Sequence, residues 1–158
     1  MSEWPTKPAD QNERNAAAAC HVAGIFFPYL APIVALALSW KRSRFVQIHA
    51  LESLFEAITL TVFTVLVFAV SLAISLPGLL ELLRSRGESF EWSMLWAALI
   101  KSALVWVGLA LVGLWYTIRS VLDAVQAMKG EWKPSIVSGR LAGRILGVDR
   151  RNLPAKAG

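Results

Sequence analysis

Apolar and polar positions separate into blocks along this chain. Residues 15–40 are uncharged, residues 57–80 are uncharged, and residues 92–118 carry only Lys101. A hydrocarbon core of about 30 Å needs roughly 20 apolar helical residues, so each block is long enough to cross one. The pattern predicts an all-α integral membrane helical bundle with three transmembrane helices, near 16–40, 46–76 and 92–128, or four if the first stretch is broken. Pro77-Gly78 marks the expected end of the second helix. Residues 1–14 are polar, mixed in charge and contain Pro5 and Pro8, which reads as a disordered tail. Residues 15–129 form the membrane domain, and residues 130–158 a basic juxtamembrane tail.

The first block contains Pro28 and Pro32 around Phe26, Phe27 and Tyr29. Each proline removes a backbone hydrogen bond and crowds the preceding turn. A single kinked span is the expectation and a broken, partly re-entrant segment the alternative. A secretory signal ending near Ala35-Leu36-Ala37 is a third reading. It is disfavoured because the prolines interrupt the apolar run and the basic cluster Lys41, Arg42, Arg44 follows it.

At the start of the second block, His49, Glu52 and Glu56 stand at i, i+3 and i+7 and share a helix face. Phe45, Ile48, Leu51 and Phe55 occupy the other. Ionisable groups at membrane depth are costly and acquire partners or a function. With Arg44 these three residues form the candidate functional polar cluster. Its plainer reading is an interfacial salt-bridge cluster that sets helix depth; its sharper reading is proton or ion handling. In the third block Trp92 and Trp96 mark one interface, Trp115 and Tyr116 the other, and Lys101 snorkels outward. Arg119 and Asp123 are four apart on its polar end.

Beyond Gly130, Val137, Leu141, Ile145 and Val148 would form a helical stripe edged by Arg140 and Arg144. Gly139, Gly143 and Gly147 weaken that helix. This amphipathic C-terminal segment is read as lying on the membrane surface, with Lys129, Lys133, Arg140 and Arg144 as contacts to anionic phospholipid headgroups.

Composition agrees: of 158 residues 56% are apolar and 17% charged, against roughly 45–50% and about 25% in a soluble domain. The net charge is +5, and its distribution orients the chain. For three spans, ten Lys and Arg fall on the connector and the C-terminal tail against four on the N-terminal tail and second loop. The positive-inside rule then puts the connector and the C-terminus in the cytoplasm. Nucleic-acid binding is not expected, because the bilayer already supplies a polyanion beside the tail.

One Cys and two His make no zinc site, and Cys20 reads as a packed small residue. His21 reads as a polar residue near the outer interface. A haem held by His21 and His49 conflicts with three spans, since the residues from His21 to Trp40 would separate them by about 29 Å. No Gly-x-Ser-x-Gly, His-Glu-x-x-His or phosphate-loop motif is present, so no enzyme, catalytic residue, cofactor or metal is expected.

Three stretches carry a family resemblance: Glu13-Arg14-Asn15 with Cys20-His21; Arg44-Phe45-Val46-Gln47-Ile48-His49-Ala50-Leu51; and Ala127-Met128-Lys129-Gly130 through Pro134 to Ala142. They resemble a widespread group of small bacterial membrane proteins related to the Tic-type channel component of chloroplast protein import. The resemblance implies a helical membrane protein and supplies no catalytic residues. The expected function is a non-enzymatic subunit or scaffold of a membrane assembly, associating with other membrane proteins or with itself. A transporter or channel component is the alternative.

Overall fold

A computed structural model describes residues 9–84 and 92–147. Among them all regular structure is helical: α1 (Gln11–Phe26), α2 (Leu30–Ser39), α3 (Arg44–Arg84), α4 (Trp92–Met128) and α5 (Ser138–Leu146). Two segments, Arg44–Gly78 within α3 and Leu99–Met128 within α4, are long and apolar enough to cross a membrane. The described residues divide into two compact units, 9–59 with 117–147, and 60–84 with 92–116.

The first apolar block is broken rather than kinked. α1 ends at Phe27, Pro28 has no N–H to continue the ladder, and α2 restarts at Leu30. Phe27 then accepts from the Ala31 amide, which closes the turn. At 1.5 Å per residue α1 is about 24 Å long and α2 about 15 Å, so neither crosses a 30 Å core. They pack on one another, and Asn12 and Glu13 line the same groove as Ser39, Arg42 and Ser43. The block therefore folds back on itself, and the single span expected over 16–40 is replaced by a helical hairpin.

The tail reading of residues 1–14 is also corrected where it is described. Asp10 and Glu13 form a capping box: the Glu13 amide donates to Asp10 Oδ1 at 2.8 Å, and the Asp10 amide to Glu13 Oε2 at 3.0 Å. Arg14 Nε donates to the Ala9 carbonyl at 2.9 Å. These bonds satisfy the exposed donors of the first turn, so α1 starts four residues before the uncharged stretch. Residues 1–8 lie outside the described residues.

The first unit packs around the start of α3. On one side Phe45 meets Ala17 and Ala18 of α1 and Ala124 and Ala127 of α4. On the other, Ile48 and Leu51 meet Trp132 and Ala142 of α5. Alanines let these backbones approach closely, as small residues do where membrane helices pack. Ile48 is fully buried and contributes about 2–3 kcal/mol by its removal from solvent. Ser43 caps α3, its Oγ accepting from the Val46 amide at 3.2 Å.

α5 turns the small-residue side of its amphipathic pattern inward. Ser138, Gly139, Ala142 and Gly143 are buried, while Arg140, Leu141, Arg144 and Ile145 are exposed. The apolar stripe read from the sequence is thus its outer face, with Val148 outside the described residues. Gly139 is required where α5 meets α3: a Cβ there would lie 2.5 Å from Pro134 Cα and 2.7 Å from Glu52 Oε1.

In the second unit α3 runs through Pro77 to Arg84, past the Pro77-Gly78 end expected for it. In a bilayer the rest of the backbone is best satisfied by staying helical, so a proline is carried within the helix rather than ending it. This unit exposes Val65, Leu66, Phe68 and Ile74 on α3 and Leu104, Trp106 and Leu111 on α4. Apolar surface of this extent suits lipid rather than water. The basic and acidic positions 85–91 and 148–158 lie outside the described residues.

Candidate functional site

The first unit buries a polar cluster drawn from every one of its helical segments except α2. His49, Glu52 and Glu56 come from α3 as their spacing predicts. His49 and Glu52 are each 2% exposed, and the Glu56 side chain is 10% exposed. The break at Pro28 brings α1 back alongside, so His21 reaches His49: the Nε2 of His21 and the Nδ1 of His49 are hydrogen-bonded at 3.1 Å. Their rings meet edge-on, and His49 also stands edge-on to Phe45. The separation of about 29 Å expected for the two histidines is overturned, and His21 is a core residue rather than an interfacial one.

Glu52 is fully partnered by the segment after α4. Trp132 Nε1 donates to its Oε2 at 2.6 Å, and the Ser135 amide donates to its Oε1 at 2.7 Å. Ser135 Oγ also accepts from the Gly139 amide at 2.8 Å and is bonded to Ser138 Oγ, which ties the first turn of α5 to the same carboxylate. Pairing by an indole and a backbone amide lets a carboxylate be buried without a cation beside it.

Glu56 and Asp123 share one arginine. Arg119 Nε is 3.0 Å from Asp123 Oδ2 and 3.8 Å from Glu56 Oε1, and Ser138 Oγ donates to Glu56 Oε1 at 3.4 Å. The Arg119–Asp123 approach is an i,i+4 ion pair. Among the described residues, His21 Nδ1, His49 Nε2, Glu56 Oε2 and Asp123 Oδ2 are buried with no hydrogen-bond partner. One ligand atom each of His21, Glu56 and Asp123 lies within 4.8 Å of the other two. Burial first, then the charge of Arg119, holds the His21 imidazole down at about 4, so it is neutral at neutral pH. Beside it, burial pushes the Cys20 thiol up to about 12, with a bond to Ser53 acting in the opposite direction.

Of the residues singled out from sequence, His49, Glu52 and Glu56 fall together. Arg44 does not join them: half-buried, its Nη1 donates to the Leu146 carbonyl at 2.9 Å and holds the end of α5. Lys129, Lys133, Arg140 and Arg144 are all exposed, and Lys133 pairs with Glu131 at 3.0 Å. His21, Asp123 and Trp132 were not assigned to the cluster. Asp123 carries a signal for it, as the lone acid within an apolar helix. His21 carries none, because its partner lies across a chain reversal.

A family model described as the magnetosome magnetite crystal formation protein family matches residues 12–142. The match runs from α1 into α5 and includes every residue of the cluster. It supports a small bacterial membrane protein family and lends nothing to the Tic-type relation. No curated protein and no solved structure matches the chain.

Proposed function

The chain belongs to the magnetosome magnetite crystal formation protein family, and from that membership we propose that it serves magnetite formation as a non-enzymatic integral protein of the magnetosome membrane. It acts as a subunit or scaffold of a membrane assembly. The observation that carries this reading is the extent of the match, from residue 12 to residue 142, together with two helices apolar enough to cross a bilayer. The buried cluster supports it as an organising centre. It ties α1, α3, α4 and the 132–138 segment together through polar contacts specific in distance and angle, which apolar packing alone does not supply.

In this reading the first unit faces the cytoplasm. Lys129, Lys133, Arg140 and Arg144 meet anionic headgroups there, beside the exposed stripe of Leu141 and Ile145.

The test is deletion of the gene in a magnetite-forming host, followed by electron microscopy of the crystals. The expected result is a changed crystal size distribution, restored by the wild-type gene. Crystals identical in size, number and shape overturn the proposal. Reconstituted in liposomes, the purified protein is expected to pass no ions. Reproducible flux that is lost on Glu56→Gln would establish a transporter instead.

A further inference from the structure

We propose that His21, Glu56 and Asp123 form a binding site for one divalent transition-metal cation. The three side chains arrive from α1, α3 and α4, far apart in sequence, and their ligand atoms converge within 4.8 Å of one another. Ligands held about 2.0–2.2 Å from a metal lie roughly 3–4 Å apart, so small side-chain rotations close the set around an ion. One imidazole and two carboxylates suit Fe2+, Mn2+, Co2+ or Zn2+ better than Mg2+ or Ca2+, which favour oxygen alone.

A second observation points to a ligand. His21 is 1% exposed, and its Nδ1, the ring nitrogen not bonded to His49, has no hydrogen-bond partner among the described residues. Glu56 Oε2 is likewise free, because Arg119 and Ser138 face Oε1. Unpartnered buried polar atoms are rare in folded proteins, and two of them belong here to residues from different helices whose ligand atoms converge.

The surroundings match what a metal-bound histidine needs. A cation on His21 Nδ1 leaves the proton on Nε2, which then donates to His49 Nδ1 across the 3.1 Å contact. That fixes the tautomer of both rings and orients the ligand, the usual role of an outer partner at a metal site.

The site is proposed from geometry alone and stands apart from the crystal-forming role. Naming Fe2+ as the resident ion rests on the proposed function.

The experiment uses the full-length protein in detergent, stripped of metal and titrated with Mn2+ or, without oxygen, with Fe2+. One ion per chain is expected. Binding at least tenfold weaker is expected in His21→Gln and in Asp123→Asn, with no change in Lys101→Gln, at an exposed position. Pulsed electron paramagnetic resonance of bound Mn2+ in the wild-type chain should show coupling to a histidine nitrogen. That readout needs no variant to fold. Absence of saturable binding by the folded chain, absence of the nitrogen coupling, or equal affinity in folded His21→Gln and Asp123→Asn overturns the site. Loss of the site with an unaltered deletion phenotype, or the reverse, separates its failure from that of the proposed function.

Discussion

Trp132 donates its indole N–H to Glu52 Oε2 at 2.6 Å, across 80 residues of sequence. Both side chains are almost wholly buried, so neither has water as a substitute partner. Trp132→Phe keeps the ring's bulk and removes the donor. The expected cost is about 1–3 kcal/mol, the penalty for a buried acceptor left short of a donor. Thermal unfolding in detergent should show a midpoint lowered by several degrees, with Trp115→Phe, at an exposed position, unchanged. Equal midpoints for the two variants would show that the bond contributes nothing.

Gly139 and Gly147 separate packing from backbone conformation. Gly139→Ala sets a methyl against Pro134 and the Glu52 carboxylate, and the nearest atom is backbone that cannot yield cheaply. A loss of about 1–3 kcal/mol is expected. Gly147 ends α5 at φ 66° with nothing within 4 Å of an added Cβ. Gly147→Ala should cost only the left-handed strain, about 1 kcal/mol. Chemical denaturation of both variants gives the order, and a more damaging Gly147→Ala would contradict the packing described for α5.

For two crossings the charge count is more one-sided than for three. With the first block folded back, twelve Lys and Arg fall on the side of the termini and connector and two, Arg84 and Arg86, on the side of the intervening loop. Both termini are therefore expected in the cytoplasm. A periplasm-dependent reporter should be silent when fused at either terminus and active at Ser85. Activity at the N-terminus with silence at the C-terminus would restore the single crossing by residues 15–40.

The exposed cations near α5 predict lipid selectivity. In nanodiscs the intact protein should unfold at a higher temperature with anionic than with zwitterionic lipid. Charge removal at Lys129, Lys133, Arg140 and Arg144 together should erase most of that difference, at roughly 1 kcal/mol per residue. The effect should shrink as salt rises. A difference that survives the fourfold change would locate the lipid contact elsewhere.

The helical membrane class was legible from the apolar blocks, because a bilayer leaves helix as the way for a long apolar segment to satisfy its backbone. The shared face of His49, Glu52 and Glu56 was legible too, since helical periodicity alone determines it. The capping box is written in the chain as an acid at Asp10 and a second three residues on at Glu13, within a stretch whose composition is polar.

What the sequence could not settle was whether Pro28 bends a helix or ends it. That depends on whether α1 gains more by packing Ala17 and Ala18 on Phe45 than by continuing across the bilayer. The pairing of His21 with His49, and the approach of Asp123 to Glu56, follow from that choice. Local periodicity places residues on a face; only long-range packing decides which face they meet.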